Sequence, residues 1–83
     1  MLLEFENDSG FRQKIGEPSS FEETVKMIRE YLRRTAYSVP YWEWIQEENL
    51  WILDFGSYQS AIFLTDLNEN LIEEFNSFYE RSN

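Results

Sequence analysis

The 83-residue sequence predicts an α+β fold. We expect a three-stranded antiparallel sheet, flanked in the sequence by two helices that pack on one face of it. Apolar residues recur at helical spacing within 21–32 and again within 67–79, and a segment of alternating residues at 41–65 lies between them. A chain of this length holds one domain, 1–83, and its 7 Phe, 5 Tyr and 3 Trp residues must fill much of the core.

The first sixteen residues predict an N-terminal β-hairpin outside the three-stranded sheet. Leu3 and Phe5 share one face of a short strand, 8–10 has the composition of a turn, and alternation resumes over 11–15.

The first helix is predicted from its start signal and its apolar stripe. Ser20 and Glu23 have the spacing of a capping box, in which each side chain accepts a free backbone amide. The stripe residues follow at steps of 4, 3 and 4: Phe21, Val25, Ile28 and Leu32. Because a proline disfavours helix at the residue before it, Pro40 predicts that the helix ends near 36–37.

The central segment predicts three strands at 41–47, 50–55 and 60–64. Glu48 and Asn49 form a two-residue turn between the first two strands. In the first strand, Trp42 and Trp44 share one face, and the opposite face carries Glu43, Ile45 and Glu47.

The second helix is expected to begin after the third strand, with Thr65 or Asp66 as its cap. Asp66 and Glu69 repeat the capping-box spacing. The apolar stripe of this helix steps by 4, 4 and 3 through Leu67, Leu71, Phe75 and Phe78.

Composition excludes several chemistries. The chain has no His and no Cys, so it lacks the commonest general base and any disulfide or thiolate zinc site. The triplet Asp54-Phe55-Gly56 matches the magnesium-binding triplet of protein kinases, but the chain is too short for a kinase and has no glycine-rich phosphate loop. We expect Asp54 to end a strand, Phe55 to lie in the core and Gly56 to form a turn, with no enzymatic activity, metal or cofactor.

The N-terminus and the apolar runs bear on location. An acid, Glu4, stands where a secretory signal carries basic residues, and no apolar run is long enough for a signal core or a membrane span. We expect a cytoplasmic protein without a membrane partner.

Charge is the strongest functional feature of the sequence. The formal net charge is −9, from 16 acids and 7 bases, and residues 35–83 contain 9 of the acids and one base, Arg81. Such a chain is unsuited to bind DNA or RNA directly, because that affinity comes from Lys and Arg meeting phosphates. The acids either keep the protein soluble or complement a basic groove on another protein. The candidate partner-binding residues are Glu43, Glu47, Asp54, Glu69, Glu73, Glu74, Tyr41 and Tyr58.

In its size, fold class and acidity, the chain resembles the small inhibitors encoded by phages and other mobile elements, among them the anti-CRISPR proteins. The segments 51–57 (WILDFGS) and 61–64 (AIFL) are similar to those of short phage-encoded proteins. The resemblance implies a stoichiometric inhibitor that mimics DNA and occupies the nucleic-acid-binding groove of a CRISPR-Cas effector. Two alternatives stay open: an immunity protein or antitoxin that neutralises a basic nuclease toxin, and an acidic structural subunit. The oligomeric state is open between a monomer and a homodimer.

Overall fold

The computed structural model describes residues 1–57 and 59–81, and the side chains of 1–57 and 59–78. The elements in this part of the chain are β1 (Leu2–Glu6), β2 (Arg12–Gly16), α1 (Phe21–Arg34), β3 (Glu43–Gln46), β4 (Trp51–Asp54), β5 (Ala61–Thr65) and α2 (Leu71–Arg81). The predicted α+β class is confirmed.

The strands form one antiparallel sheet in the order β2-β1-β5-β4-β3. The predicted three-stranded sheet is therefore an undercount, because the N-terminal hairpin belongs to the same sheet. Strand β1 pairs with β5 along its whole length, from Leu2 opposite Thr65 to Glu6 opposite Ala61. This pairing places β1 and β5 inside the sheet and leaves β2 and β3 as its edges.

One face of the sheet packs on both helices. The buried positions alternate along the inner strands and join buried residues of α1 and α2 in a single apolar cluster. The sheet contributes Leu3, Phe5, Trp51, Leu53, Ile62 and Leu64, and the helices contribute Phe21, Val25, Ile28, Tyr31, Leu32 and Leu71. Neither helix of the described chain packs on the other face of the sheet, which we call the open face.

Helix α1 begins at the predicted cap. The hydroxyl of Ser20 accepts the amide of Glu23 at 3.1 Å. The Glu23 carboxylate does not return to Ser20, as a complete capping box requires, but accepts the hydroxyl of Ser19 at 3.0 Å. The predicted stripe is buried along its full length.

Helix α1 ends in a Schellman motif. The amide of Tyr37 donates to the carbonyl of Leu32 at 3.0 Å, and the amide of Ala36 donates to that of Arg33 at 3.2 Å. Ala36 therefore has a φ of 60°, in the left-handed region.

Helix α2 begins later than predicted. Its first residue is Leu71, and the amide of Glu74 donates to the carbonyl of Asn70. Asp66 does not cap the helix: it follows β5 with a φ of 51°, and Leu67 packs from the connecting segment onto the core. The part of α2 that forms the predicted stripe is 71–78.

The turn between β3 and β4 is the predicted one, closed by the amide of Glu47 donating to the carbonyl of Leu50 at 3.0 Å. Strand β4 ends where Gly56 donates its amide to the carboxylate of Asp54 at 3.0 Å, with Phe55 fully buried beside it. This confirms the structural interpretation of the Asp54-Phe55-Gly56 triplet. Neither described helix has the length and apolar character needed to cross a bilayer.

Candidate protein-binding surface

An apolar row runs across the open face of the sheet. Phe63 on β5 is directly opposite Ile52 on β4, and Ile52 is opposite Ile45 on β3. Ile45 is 44 % exposed, whereas Ile52 and Phe63 are half-buried. On the same face, the row continues toward the β2 edge with Glu4, which is opposite Phe63. The open face therefore combines an apolar centre with charged residues.

The β1–β2 half of the open face is covered by its own ionic contacts. Arg12 donates from Nε to Glu6 at 2.9 Å and forms a longer ion pair, 3.9 Å, with Glu4. The same guanidinium lies over the ring of Phe63, 4.3 Å from its centroid. Lys14 pairs with Glu17 at 3.1 Å. Each of these acids has a cation of the same chain beside it.

On the other half, the acids have no cation beside them among the described side chains. We define the β3–β4 face as Tyr41, Glu43, Ile45, Ile52 and Asp54. Glu43 and Asp54 are directly opposite each other in the β3–β4 pairing. Like charges in this position repel each other. Among the described side chains, no basic group lies within ion-pair distance of either carboxylate.

Asp54 is held in place by two donors. The hydroxyl of Tyr41 donates to Oδ2 at 2.8 Å, and the amide of Gly56 donates to Oδ1 at 3.0 Å. The hydrogen bond to Asp54 raises the pKa of Tyr41 above its ordinary value, and the nearby charges of Asp54 and Glu43 raise it further. Tyr41 therefore stays a neutral donor to this carboxylate throughout the physiological pH range.

A second group of acids lies at the turn end of β3. Glu47 and Glu69, both predicted partner-binding residues, line a cleft of about 750 Å³ between the β3–β4 turn and the segment before α2. Glu48 and Asp66 line the same cleft, as does Ile72, which is 61 % exposed. The described residues contain no group of three or more acids arranged to hold a metal ion.

A third group lies between the helices. Glu73 and Glu74 line a groove of about 500 Å³ beside the start of α1. The carboxylate of Glu74 accepts the amide of Phe21, the first residue of α1, at 3.1 Å. Glu74 thus satisfies one of the free amides of that helix and has a structural role.

The structure therefore divides the predicted residues among three places. Tyr41, Glu43 and Asp54 meet on the open face, Glu47 and Glu69 lie at the turn end, and Glu73 and Glu74 lie on the helical side of the sheet. Tyr58, the eighth predicted residue, lies outside the described residues. The seven described residues do not form one continuous surface, so only part of the set can meet a flat partner at once.

Two residues of the β3–β4 face were not among the predicted partner-binding residues, Ile45 and Ile52. The alternation in the sequence places Ile45 on the face of Glu43, but exposure on that face depends on both helices covering the other one. The basic residues of α1 lie on the helical side of the molecule and are exposed: Lys26, Arg29, Arg33 and Arg34. Of these, Arg29 lies over the ring of Trp42, with 5.0 Å between the guanidinium carbon and the ring centroid.

Comparison of the chain with protein-family models, curated proteins and solved structures finds no match.

Proposed function

We propose that this protein is a stoichiometric inhibitor that binds a basic, nucleic-acid-binding surface of another protein in the cytoplasm and keeps nucleic acid away from it. A CRISPR-Cas effector is the target class that the resemblance favours. The observation that carries the proposal is the pair Glu43 and Asp54, which lie side by side with no cation beside them among the described side chains; Glu43 is exposed and Asp54 is half-buried.

The pair supports the proposal for an energetic reason. Two carboxylates opposite each other on neighbouring strands destabilise the sheet by a few tenths of a kcal/mol to about 1 kcal/mol. A cation from a partner relieves this repulsion, so part of the electrostatic gain appears only in the complex. On the same face, Glu4 and Glu6 have this relief from Arg12.

The distribution of charge supports the same function. The chain has a net charge of −9, and the segment 35–83 that contains β3, β4 and α2 has nearly all of it. A field of this sign accelerates encounter with a cationic groove and repels nucleic acid that approaches the complex. An immunity protein against a basic nuclease would use the same electrostatics, and the target alone distinguishes it from an inhibitor of a CRISPR effector.

The test is displacement of labelled nucleic acid from a panel of CRISPR effectors and nuclease toxins, measured by fluorescence anisotropy. The double reversal Glu43→Lys/Asp54→Lys should weaken inhibition at least about tenfold. The matched control is Asp8→Lys/Glu30→Lys, which changes net charge equally at two exposed sites outside the β3–β4 face. Inhibition should also weaken steeply with added salt. Equal loss in both double variants, or no displacement from any member of the panel, would contradict the proposal.

A further inference from the structure

We propose that the β3–β4 face is a receptor for an arginine side chain, which a protein partner presents next to an apolar residue. This inference rests on the proposed function and specifies its contact. Glu43 and Asp54 take the guanidinium, while Ile45 and Ile52 take the neighbouring apolar group.

The chain itself contains the contact that we expect. On the β1–β2 half of the open face, the Arg12 guanidinium meets Glu6 at 2.9 Å and Glu4 at 3.9 Å while it covers the ring of Phe63. One arginine there neutralises two acids and shields the apolar centre of the sheet. The β3–β4 half has two acids and an apolar centre, and none of the described residues plays the part of Arg12.

The geometry of the pair favours arginine over lysine. Opposed residues on antiparallel strands have Cβ atoms about 4.5–5.5 Å apart, so one planar group with several donors can reach both carboxylates. A guanidinium has five N–H donors in a fixed plane and packs flat against apolar side chains, whereas an ammonium is a compact, strongly hydrated charge. The hydroxyl of Tyr41 and the amide of Gly56 already fix Asp54, so little side-chain freedom is lost on binding.

A second copy of the chain also has exposed arginines, on the outer side of α1. Self-association would bring together two molecules that each have a net charge of −9, which opposes it at low ionic strength. We therefore assign the arginine to a different, basic protein, and the experiment tests the second copy as well.

The experiment is a titration of the ¹⁵N-labelled protein with three capped tripeptides, in which arginine, lysine or citrulline stands between two leucines. Citrulline keeps the shape of arginine without its charge. The arginine peptide should shift the amide resonances of 43–45 and 52–54 and bind at least about threefold more tightly than the lysine peptide. The citrulline peptide should cause no saturable shift.

Two double variants locate the contact. Glu43→Gln/Asp54→Asn should weaken binding of the arginine peptide at least about fivefold, and the matched control Asp8→Asn/Glu30→Gln should change it less than about twofold. Thermal unfolding checks that both variants fold, because Asp54→Asn removes the repulsion with Glu43 but leaves one acceptor oxygen for the two donors, the hydroxyl of Tyr41 and the amide of Gly56.

Other results would overturn the inference. Equal binding of the arginine and lysine peptides would exclude the bidentate contact, and shifts confined to 47–49 and 66–69 would move the contact to the turn end. A defined dimer by light scattering, with these same amides shifting as protein concentration rises, would identify the second copy as the occupant. If Glu43→Lys/Asp54→Lys loses inhibition of a target while the arginine and lysine peptides bind the protein equally, this inference fails and the proposed function stands.

Discussion

Replacement of Gly56 by alanine tests how the segment before β3 is fixed to the end of β4. Gly56 has a φ of +94°, which disfavours any residue with a Cβ atom. A Cβ atom here would lie 2.3 Å from Cγ and 2.8 Å from Cδ of Pro40. Since a proline ring cannot rotate away, the backbone of one segment must move.

The magnitude has two parts. The left-handed conformation costs an alanine about 1–2 kcal/mol, and relief of an overpacked contact costs about 1–3 kcal/mol more. Gly56→Ala should therefore lower the free energy of unfolding by about 2–5 kcal/mol, a large fraction of what a domain of this size has. Gly10→Ala is the matched control, because Gly10 has a φ of +81° and no atom within 4 Å of the added Cβ. Gly10→Ala should lose only the ~1–2 kcal/mol that the left-handed conformation costs.

Urea denaturation followed by tryptophan fluorescence measures both variants, and Pro40→Ala in the Gly56→Ala background measures their coupling. The double variant should recover part of the loss. Equal losses for Gly10→Ala and Gly56→Ala, with no recovery in the double variant, would refute the reasoning that Pro40 is held against Gly56.

Four further changes have directions fixed by the structure. Ala36→Gly should raise the free energy of unfolding by about 1 kcal/mol in urea denaturation, because the φ of 60° at this position suits glycine. Glu74→Ala should lower it by about 1 kcal/mol and accelerate hydrogen exchange at the first amide of α1, which loses its acceptor. Trp44→Phe should cost less than about 1 kcal/mol by thermal denaturation, since it also removes a buried indole N–H that has no hydrogen-bond partner. Burial raises the pKa of Tyr31, and the hydrogen bond to a carboxylate raises that of Tyr41, so the native state holds protons that the unfolded state releases near pH 10. The free energy of unfolding should therefore keep its full value below that pH and fall as the pH rises through the folded pKa values. Circular dichroism should show a less steep fall in the Tyr31→Phe variant.

Local features of the sequence predicted local structure well. Ser20 caps α1 as expected, and Glu48-Asn49 forms the turn between β3 and β4. Both outcomes depend on interactions among residues less than five positions apart, which a sequence pattern records directly.

Long-range pairing was not predictable in the same way. The pairing of β1 with β5 joins residues about sixty positions apart, and the alternation of Leu3 and Phe5 does not indicate which strand β1 pairs with. The predicted start of α2 was wrong for another reason. Asp66 and Glu69 have the spacing of a capping box, but Asp66 adopts a left-handed conformation that turns the chain before the helix begins.

The candidate site likewise has a local part that the sequence predicts and a long-range part that it does not. Alternation placed Glu43 and Ile45 on one face, but the match of Glu43 with Asp54 depends on the register that the two-residue turn sets. The contact of Arg12 with Phe63, which closes the other half of the open face, crosses from β2 to β5 over an intervening strand. No spacing within the sequence reports such a contact.

The layered fold gives the charge a direction, and this bears on how an inhibitor would approach its target. The β3–β4 face lies on one side of the sheet, while the exposed Lys26, Arg29 and Arg33 of α1 lie on the helical side. The bases of α1 share the helical side with Glu30, Glu73 and Glu74, whereas the β3–β4 face has acids and none of the described bases. A cationic groove would therefore attract the β3–β4 face more strongly, and the field would orient the molecule before contact. Had the bases of α1 been mixed with the acids of β3 and β4, the same net charge would attract the groove without orienting the protein. This confinement of the α1 bases to the helical side, more than the net charge, would suit the fold to present the pair Glu43 and Asp54 to a basic partner.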